Sequence, residues 1–127
     1  QKENPLEHTA PVLTREELLS LQEQVQKVYV SDAVLDYAVS LSEATRANEL
    51  IILGLSPRGT LALMRMAKAH AFMEKRDYVV PKDVQAVFAD VAGHRMVLDT
   101  KARYEDKGPR QILEQILLQV PVPRVDG

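Results

Sequence analysis

The sequence of 127 residues has no cysteine, so neither a disulfide framework nor a thiolate metal site is open to it. It also lacks an excess of positive charge. Lys and Arg number 16 against 18 Asp and Glu, a formal net charge of −2, which leaves no broad basic face for a phosphate backbone. Long apolar runs are missing too: the longest, Leu50 to Leu55, falls far short of the roughly 20 residues of a membrane span. No secretory-type N-terminus is present, and the chain starts QKENPLEH without an initiator methionine, as an excised or processed piece would. A cytoplasmic location is the expectation. No stretch fits GxxxxGK[ST], no GxGxxG follows a strand, and no apolar strand ends in Asp-Glu to hold Mg²⁺ beside a phosphate. Alone, the chain is not expected to hydrolyse a nucleotide.

What remains is 46% hydrophobic and 27% charged, the balance of one folded domain. Hydrophobic periodicity and capping signals predict an all-α helical bundle with room for one small β-hairpin. An extended leader covers residues 1–13, the domain 14–120, and a proline-rich tail 121–127. Thr14 and Glu17 form a capping-box pattern before Leu18, Leu21, Val25 and Val28, predicting a helix from Arg15 to Lys27. Tyr29 and Val30 read as an extended link. Ser31 caps a second helix, with Val34, Leu35, Ala38, Leu41, Ser42 and Thr45 as its buried stripe and an end between Arg46 and Asn48.

Leu50 to Gly54 is a short apolar connection, and a central helix follows from Ser56 to about Glu74. Its expected face is Leu61, Met64, Ala67, Lys68 and Ala71, widened by Leu63, Met66 and Phe72. Asp77 to Val80 is β-prone, and Pro81 opens a fourth helix that buries Val84, Val87, Phe88 and Val91 before stopping near Gly93. His94–Leu98 and Ala102–Tyr104 are expected to pair as the hairpin. A last helix carries Ile112, Leu113, Ile116, Leu117 and Val120.

The chemistry narrows to one corner. His8, His70 and His94 lack a metal-ligand spacing, so no metal site is expected; His70 reads as a helix-face residue and His94 as a helix-end donor. No serine or threonine has a base singled out for it. Arg58 differs, because a cation in the first turn of a helix opposes the helix dipole. Ser56 as cap, Pro57 at the first helical position and Arg58 beside them make a rigid corner with backbone N–H groups and a guanidinium directed alike. Local physics admits two readings, a solvated or salt-bridged arginine and an anion-holding one.

Gly54-Leu-Ser-Pro-Arg-Gly-Thr-Leu-Ala-Leu-Met-Arg-Met-Ala-Lys68, then Arg76-Asp-Tyr-Val-Val-Pro-Lys-Asp-Val84 and His94-Arg95, closely resemble the C-terminal lid of MoxR-family AAA+ ATPases. Val28 to Asp32, Tyr37 and Thr45-Arg46 fit the same family, and the likeness spans about Asn4 to Val120. The resemblance implies that Arg58 is the sensor-2 residue reaching the γ-phosphate of ATP bound to a preceding α/β domain, with Ser56 and Pro57 at the same nucleotide site. It further implies ATP and Mg²⁺ as cofactors of the full-length protein but none bound by this piece, and a hexameric ring. Chaperone-like remodelling or maturation of client proteins would be its work, often with metal-cofactor insertion. Arg46 and Arg95 read as structural. Four departures stand out: Leu55 and Gly59 where alanine is usual, Lys75 where glycine is, and Val80 where Thr or Ser is. The rival reading is a free-standing helical module that binds a protein partner through the last helix. A nucleic-acid-binding domain would require a basic stripe with stacking aromatics, which the sequence does not offer.

Overall fold

A computed structural model describes residues 12–124; the expectations for residues 1–11 and 125–127, His8 included, lie outside them. Six helices and two short strands make up the described residues: α1 (Arg15–Gln26), α2 (Asp32–Ala47), β1 (Ile51–Leu53), α3 (Pro57–Met73), α4 (Pro81–Gly93), β2 (Val97–Leu98), α5 (Thr100–Tyr104) and α6 (Pro109–Gln119). The helix starts follow their caps. Thr14 and Glu17 form the reciprocal capping box, with Glu17 N–H to Thr14 Oγ1 at 3.0 Å and Thr14 N–H to Glu17 Oε1 at 2.8 Å. Ser31 and Ser56 accept from Val34 N–H and Gly59 N–H, each at 3.2 Å.

α3 and α4 share the most extensive contact, with α6 on α4 and α2 against α3, β1 and α6. Phe88, Leu41, Leu55, Leu63, Ile112, Leu113 and Ile116 lie at the centre of a single core. The stripe expected of α4 is buried in full. Elsewhere the faces turn. α2 buries Tyr37 instead of Leu35, because the Tyr37 hydroxyl finds a donor in Gln85 Nε2 at 3.1 Å and the ring fills the space against α4. α3 buries Gly59, Ala62, Leu63, Met64, Ala67 and Ala71 while Leu61 and Met66 stay exposed, since its small residues let α4 approach closely and so set the inward face. α1 buries no residue: its main contact is with α3, and Leu18, Leu19 and Leu21 are exposed. On α6, Ile112, Leu113 and Ile116 are buried, and Leu117 and Val120 only partly.

The small antiparallel pair exists, with a partner other than the one expected. β2 pairs with β1, Ile51 opposite Leu98 and Leu53 opposite Val97 with a register irregularity between, and Asp99 N–H extends the contact to Leu50 O at 2.8 Å. Ala102–Tyr104 is helical instead. Asp99, expected to sit in a turn, is the N-cap of α5, its Oδ1 accepting Lys101 N–H at 2.9 Å. Far from this pair, the two other links are zipped together: Tyr29 N–H reaches Asp77 O at 2.9 Å and Val79 N–H reaches Tyr29 O at 2.8 Å.

The C-terminal end of α3 is fixed by a buried charge. Asp83 has no exposed surface and takes Arg76 in a bidentate pair, Nη1 to Oδ2 at 2.6 Å and Nη2 to Oδ1 at 2.7 Å. His70 Nδ1–H donates to Oδ1 at 2.7 Å, and Val80 N–H to Oδ2 at 2.8 Å. His70 is thus a member of this cluster and not a plain helix-face residue. The carboxylate also accepts the N–H of Val80, the return half of a capping box, at a helix start where Val80 offers no side-chain acceptor. Burial pushes the Asp83 carboxyl up, but the bonds from Arg76, Val80 N–H and His70 outweigh it and hold the group below the usual carboxylate range.

α3 ends in a Schellman turn, Arg76 N–H to Ala71 O at 3.0 Å and Lys75 N–H to Phe72 O at 2.9 Å, with Lys75 left-handed at φ 63°. A lysine there carries a steric cost that glycine does not, so Lys75→Gly should raise unfolding stability by roughly 0.5–1 kcal/mol, measured by denaturant melts. Asp83→Asn should lower stability by about 3 kcal/mol, because the buried position loses the charge that Arg76, His70 and the Val80 N–H are all arranged to meet. Since the folded carboxyl is depressed, the contribution of Asp83 is complete above its unfolded value near 4 and is lost as pH falls through the lower folded value. Melts across acid pH should show that loss in the parent protein and not in Asp83→Asn.

Candidate functional site

The site is built from residue 54 to residue 60, where the chain leaves β1 and enters α3. Gly54 presses on the end of α2 so closely that a Cβ would lie 2.7 Å from Arg46 N and from Thr45 C, both backbone atoms that cannot yield. Only glycine permits that approach. Leu55 is then held by both of its polar main-chain atoms. Its N–H donates to Thr45 Oγ1 at 2.8 Å, and its carbonyl accepts from Arg46 Nη1. Thr45 Oγ1–H in turn donates to Ser42 O at 2.6 Å. A turn into α3, Thr60 Oγ1 donates to Ser42 Oγ at 2.7 Å, and Ser42 Oγ donates to Ala38 O at 3.0 Å. The Ser42 and Thr45 hydroxyls lie inside the stripe read as buried from the sequence, and a buried hydroxyl requires partners; Thr60, half-buried on α3, carried no such signal.

The side chain of Leu55 is fully buried against the start of α3. A Cβ placed on Gly59 would meet Leu55 Cδ1 at 2.6 Å and Cγ at 2.8 Å. Leu55 and Gly59 are therefore coupled: the leucine occupies the volume that a methyl group at 59 would need. The stem of Arg95 closes the other side, its Cδ 3.4 Å from the same point.

Ser56, Pro57 and Arg58 all lie exposed at the mouth of α3. The corner offers fewer donors than the sequence suggests. Pro57 has no N–H, and Gly59 N–H is taken by Ser56 Oγ at 3.2 Å, so of the first three helical positions Arg58 alone keeps a main-chain N–H left over. An anion here would be held chiefly by the guanidinium. Among the described residues no carboxylate pairs with Arg58, whereas Arg76 and Arg110 each have one.

The other candidates are placed differently. Arg46 gives one N–H, from Nη1, to the Leu55 carbonyl. Arg95 donates Nη1 to Val91 O at 3.3 Å, on the last turn of α4, and no carboxylate among the described residues pairs with it. His94 is the C-cap of α4 through its own N–H to Ala92 O, with an exposed side chain. No described helix is long and apolar enough to cross a membrane.

A family model described as the AAA lid domain matches residues 43–116, the segment that carries this site. Fold and matched residues together define the chain as a AAA lid domain. Similar proteins include YeaC of Bacillus subtilis, itself named as uncharacterized, 37% identical over 97% of this chain and 38% of its own length. Chaperone MoxR1 of Mycobacterium tuberculosis is 34% identical over 91% of this chain and 33% of its own length, and protein MoxR of Paracoccus denitrificans 36% over 75% and 32%. A crystal structure described as that of a candidate ATPase from Cytophaga hutchinsonii superposes with a TM-score of 0.79 at 34% identity, covering 86% of this chain and 36% of that one. The chain belongs to the MoxR family of AAA+ ATPases, as its lid domain. It spans 32–38% of these curated relatives' lengths.

The packing of Leu55 on Gly59 has a measurable consequence. Gly59→Ala alone should destabilise by about 1–3 kcal/mol through overpacking, and Leu55→Ala alone by about 2–5 kcal/mol through a cavity. The double substitution should cost clearly less than the sum, by at least about 1 kcal/mol, in a cycle read by chemical denaturation. Strict additivity would show that the two side chains do not compete for one volume.

Proposed function

We propose that this lid couples nucleotide state to domain movement in a longer ATPase, through Arg58. The observation that carries the reading is the placement of Arg58: exposed, without a carboxylate partner among the described residues, at the start of a helix whose entry is strapped down on two sides. A cation so placed opposes the helix dipole unless an anion joins it. A terminal phosphate of ATP, bound with Mg²⁺ to an α/β domain of the same polypeptide, supplies that anion. Phosphoryl transfer responds mainly to positioning and charge stabilisation, so a lid-borne guanidinium both favours turnover and makes the angle between domains depend on the γ-phosphate. Ser56 and Pro57 fix where the guanidinium starts. The name of the mycobacterial relative supports a chaperone-like role, remodelling or maturing client proteins, and a hexameric ring in the cytoplasm is the assembly in which such a lid would act.

Arg58→Ala and Arg58→Lys in a polypeptide that includes the ATPase domain test this. Turnover should fall about 100-fold or more in Arg58→Ala, with circular dichroism unchanged, and Arg58→Lys should recover only a small part, because a point charge does not reproduce the planar fork. Unchanged turnover in Arg58→Ala would favour a helical protein-binding module without a nucleotide role.

A further inference from the structure

An arginine side chain has several rotatable bonds, and what fixes its reach is the position of its own Cα. Arg58 sits midway along a segment tied to α2 at both ends. Before it, Leu55 gives its N–H to Thr45 Oγ1 and its carbonyl to Arg46 Nη1. After it, Thr60 Oγ1 donates to Ser42 Oγ. Gly54 lies flush on the Thr45 and Arg46 backbone, so the segment has no room to settle closer, and the two side-chain bonds stop it lifting away. Thr45 is fully buried and has both a donor and an acceptor engaged; Arg46 reaches out from an exposed site to a carbonyl nine positions on. Neither side chain is arranged like an ordinary surface residue of a helix end, since each closes a specific bond to the same residue of the loop.

We propose that Thr45 and Arg46 are positioning residues for Arg58: they touch no nucleotide, and they set the register in which the guanidinium meets the terminal phosphate. The assignment rests on the reading of Arg58 given above. Its signature is dependence on Arg58. A residue that merely supports the fold depresses turnover whether or not Arg58 is present, whereas a residue that acts through Arg58 loses its effect once Arg58 is gone.

The test uses the polypeptide that includes the ATPase domain, with steady-state ATP turnover at saturating Mg·ATP and KM for ATP as readouts. Thr45→Val removes the hydroxyl and keeps the branched shape; Arg46→Met removes the donor at an exposed site and so leaves folding intact even if the buried substitution does not. Each should lower kcat by about tenfold with KM for ATP changed less than about threefold, the signature of a misplaced group in the transition state. Thr45→Ser should restore most of the turnover lost in Thr45→Val. In an Arg58→Ala background, Thr45→Val and Arg46→Met should change kcat by less than about twofold. Full turnover in Arg46→Met, in a protein where Arg58→Ala has lost it, overturns the assignment alone. A loss of the same size with and without Arg58 also overturns it, as a purely structural effect. Unchanged turnover in Arg58→Ala itself sinks the reading of Arg58, and the assignment with it.

Discussion

Leu55 is the residue on which the geometry of the lid depends. Its amide and its carbonyl are both bound by α2 side chains, and its side chain is buried where α3 begins. A loop residue held at all three points has little freedom of its own. The loop therefore transmits the position of α2 to the first turn of α3, and the length and direction of the Arg58 arm are measured from a fixed base. The apolar side chain and the polar backbone atoms act in different ways here. Burial of Leu55 contributes non-directional stability, while the bonds from Thr45 and Arg46 select one placement among many that would bury the same leucine.

The two ends of α3 are fixed by opposite means. At its N-terminal end, polar contacts hold the backbone and leave a charged side chain exposed. At its C-terminal end, a carboxylate is removed from water altogether and satisfied by a guanidinium, an imidazole and a main-chain amide. A buried charge without partners is costly, so the Asp83 cluster tolerates few alternative arrangements of α3 against α4. The bridge between Tyr29 and Tyr78 adds the link before α2 to the same end. A movement at the N-terminal end of α3 would thus be carried by the helix as a rigid rod.

Much of this was legible in the sequence. Ser31, Ser56 and Thr14 cap where their residue types and spacing say they should, and the α4 stripe of Val84, Val87, Phe88 and Val91 is unbroken because one face of that helix meets both α3 and α6. The failures have physical reasons. Periodicity ranks residues by hydrophobicity, so it selected Leu61 and Met66 over Ala62 and Gly59, but close helix packing selects for small volume. It preferred Leu35 to Tyr37 because it cannot see that Gln85 waits for the hydroxyl. Strand pairing between Ile51 and Leu98 joins segments far apart in sequence, which no local turn signal announces. At the site, the position of Arg58 at the helix start was readable from Ser56 and Pro57. The bonds from Thr45 and Arg46 were not, because they follow from how α2 and the loop meet in space.

In the proposed reading, a lid whose first turn offers Arg58 and its N–H is poorly equipped to bind a nucleotide by itself and suited to respond to one already bound. A charge-assisted hydrogen bond of about 1.5–3 kcal/mol corresponds to a shift of roughly 10- to 150-fold in an equilibrium between two lid orientations. On the proposed reading, that would be enough to make the domain angle depend on the γ-phosphate and too little to lock the lid after hydrolysis, since the contact disappears with the group that made it. More cations at the same mouth would raise affinity for ATP and its product alike, and a contact shared by both states shifts nothing. In the proposed reading, Arg46 and Arg95 each have a carbonyl partner within the fold, Leu55 O and Val91 O, whereas Arg58 has no carboxylate partner among the described residues, so its partner is the one that changes when the phosphate leaves.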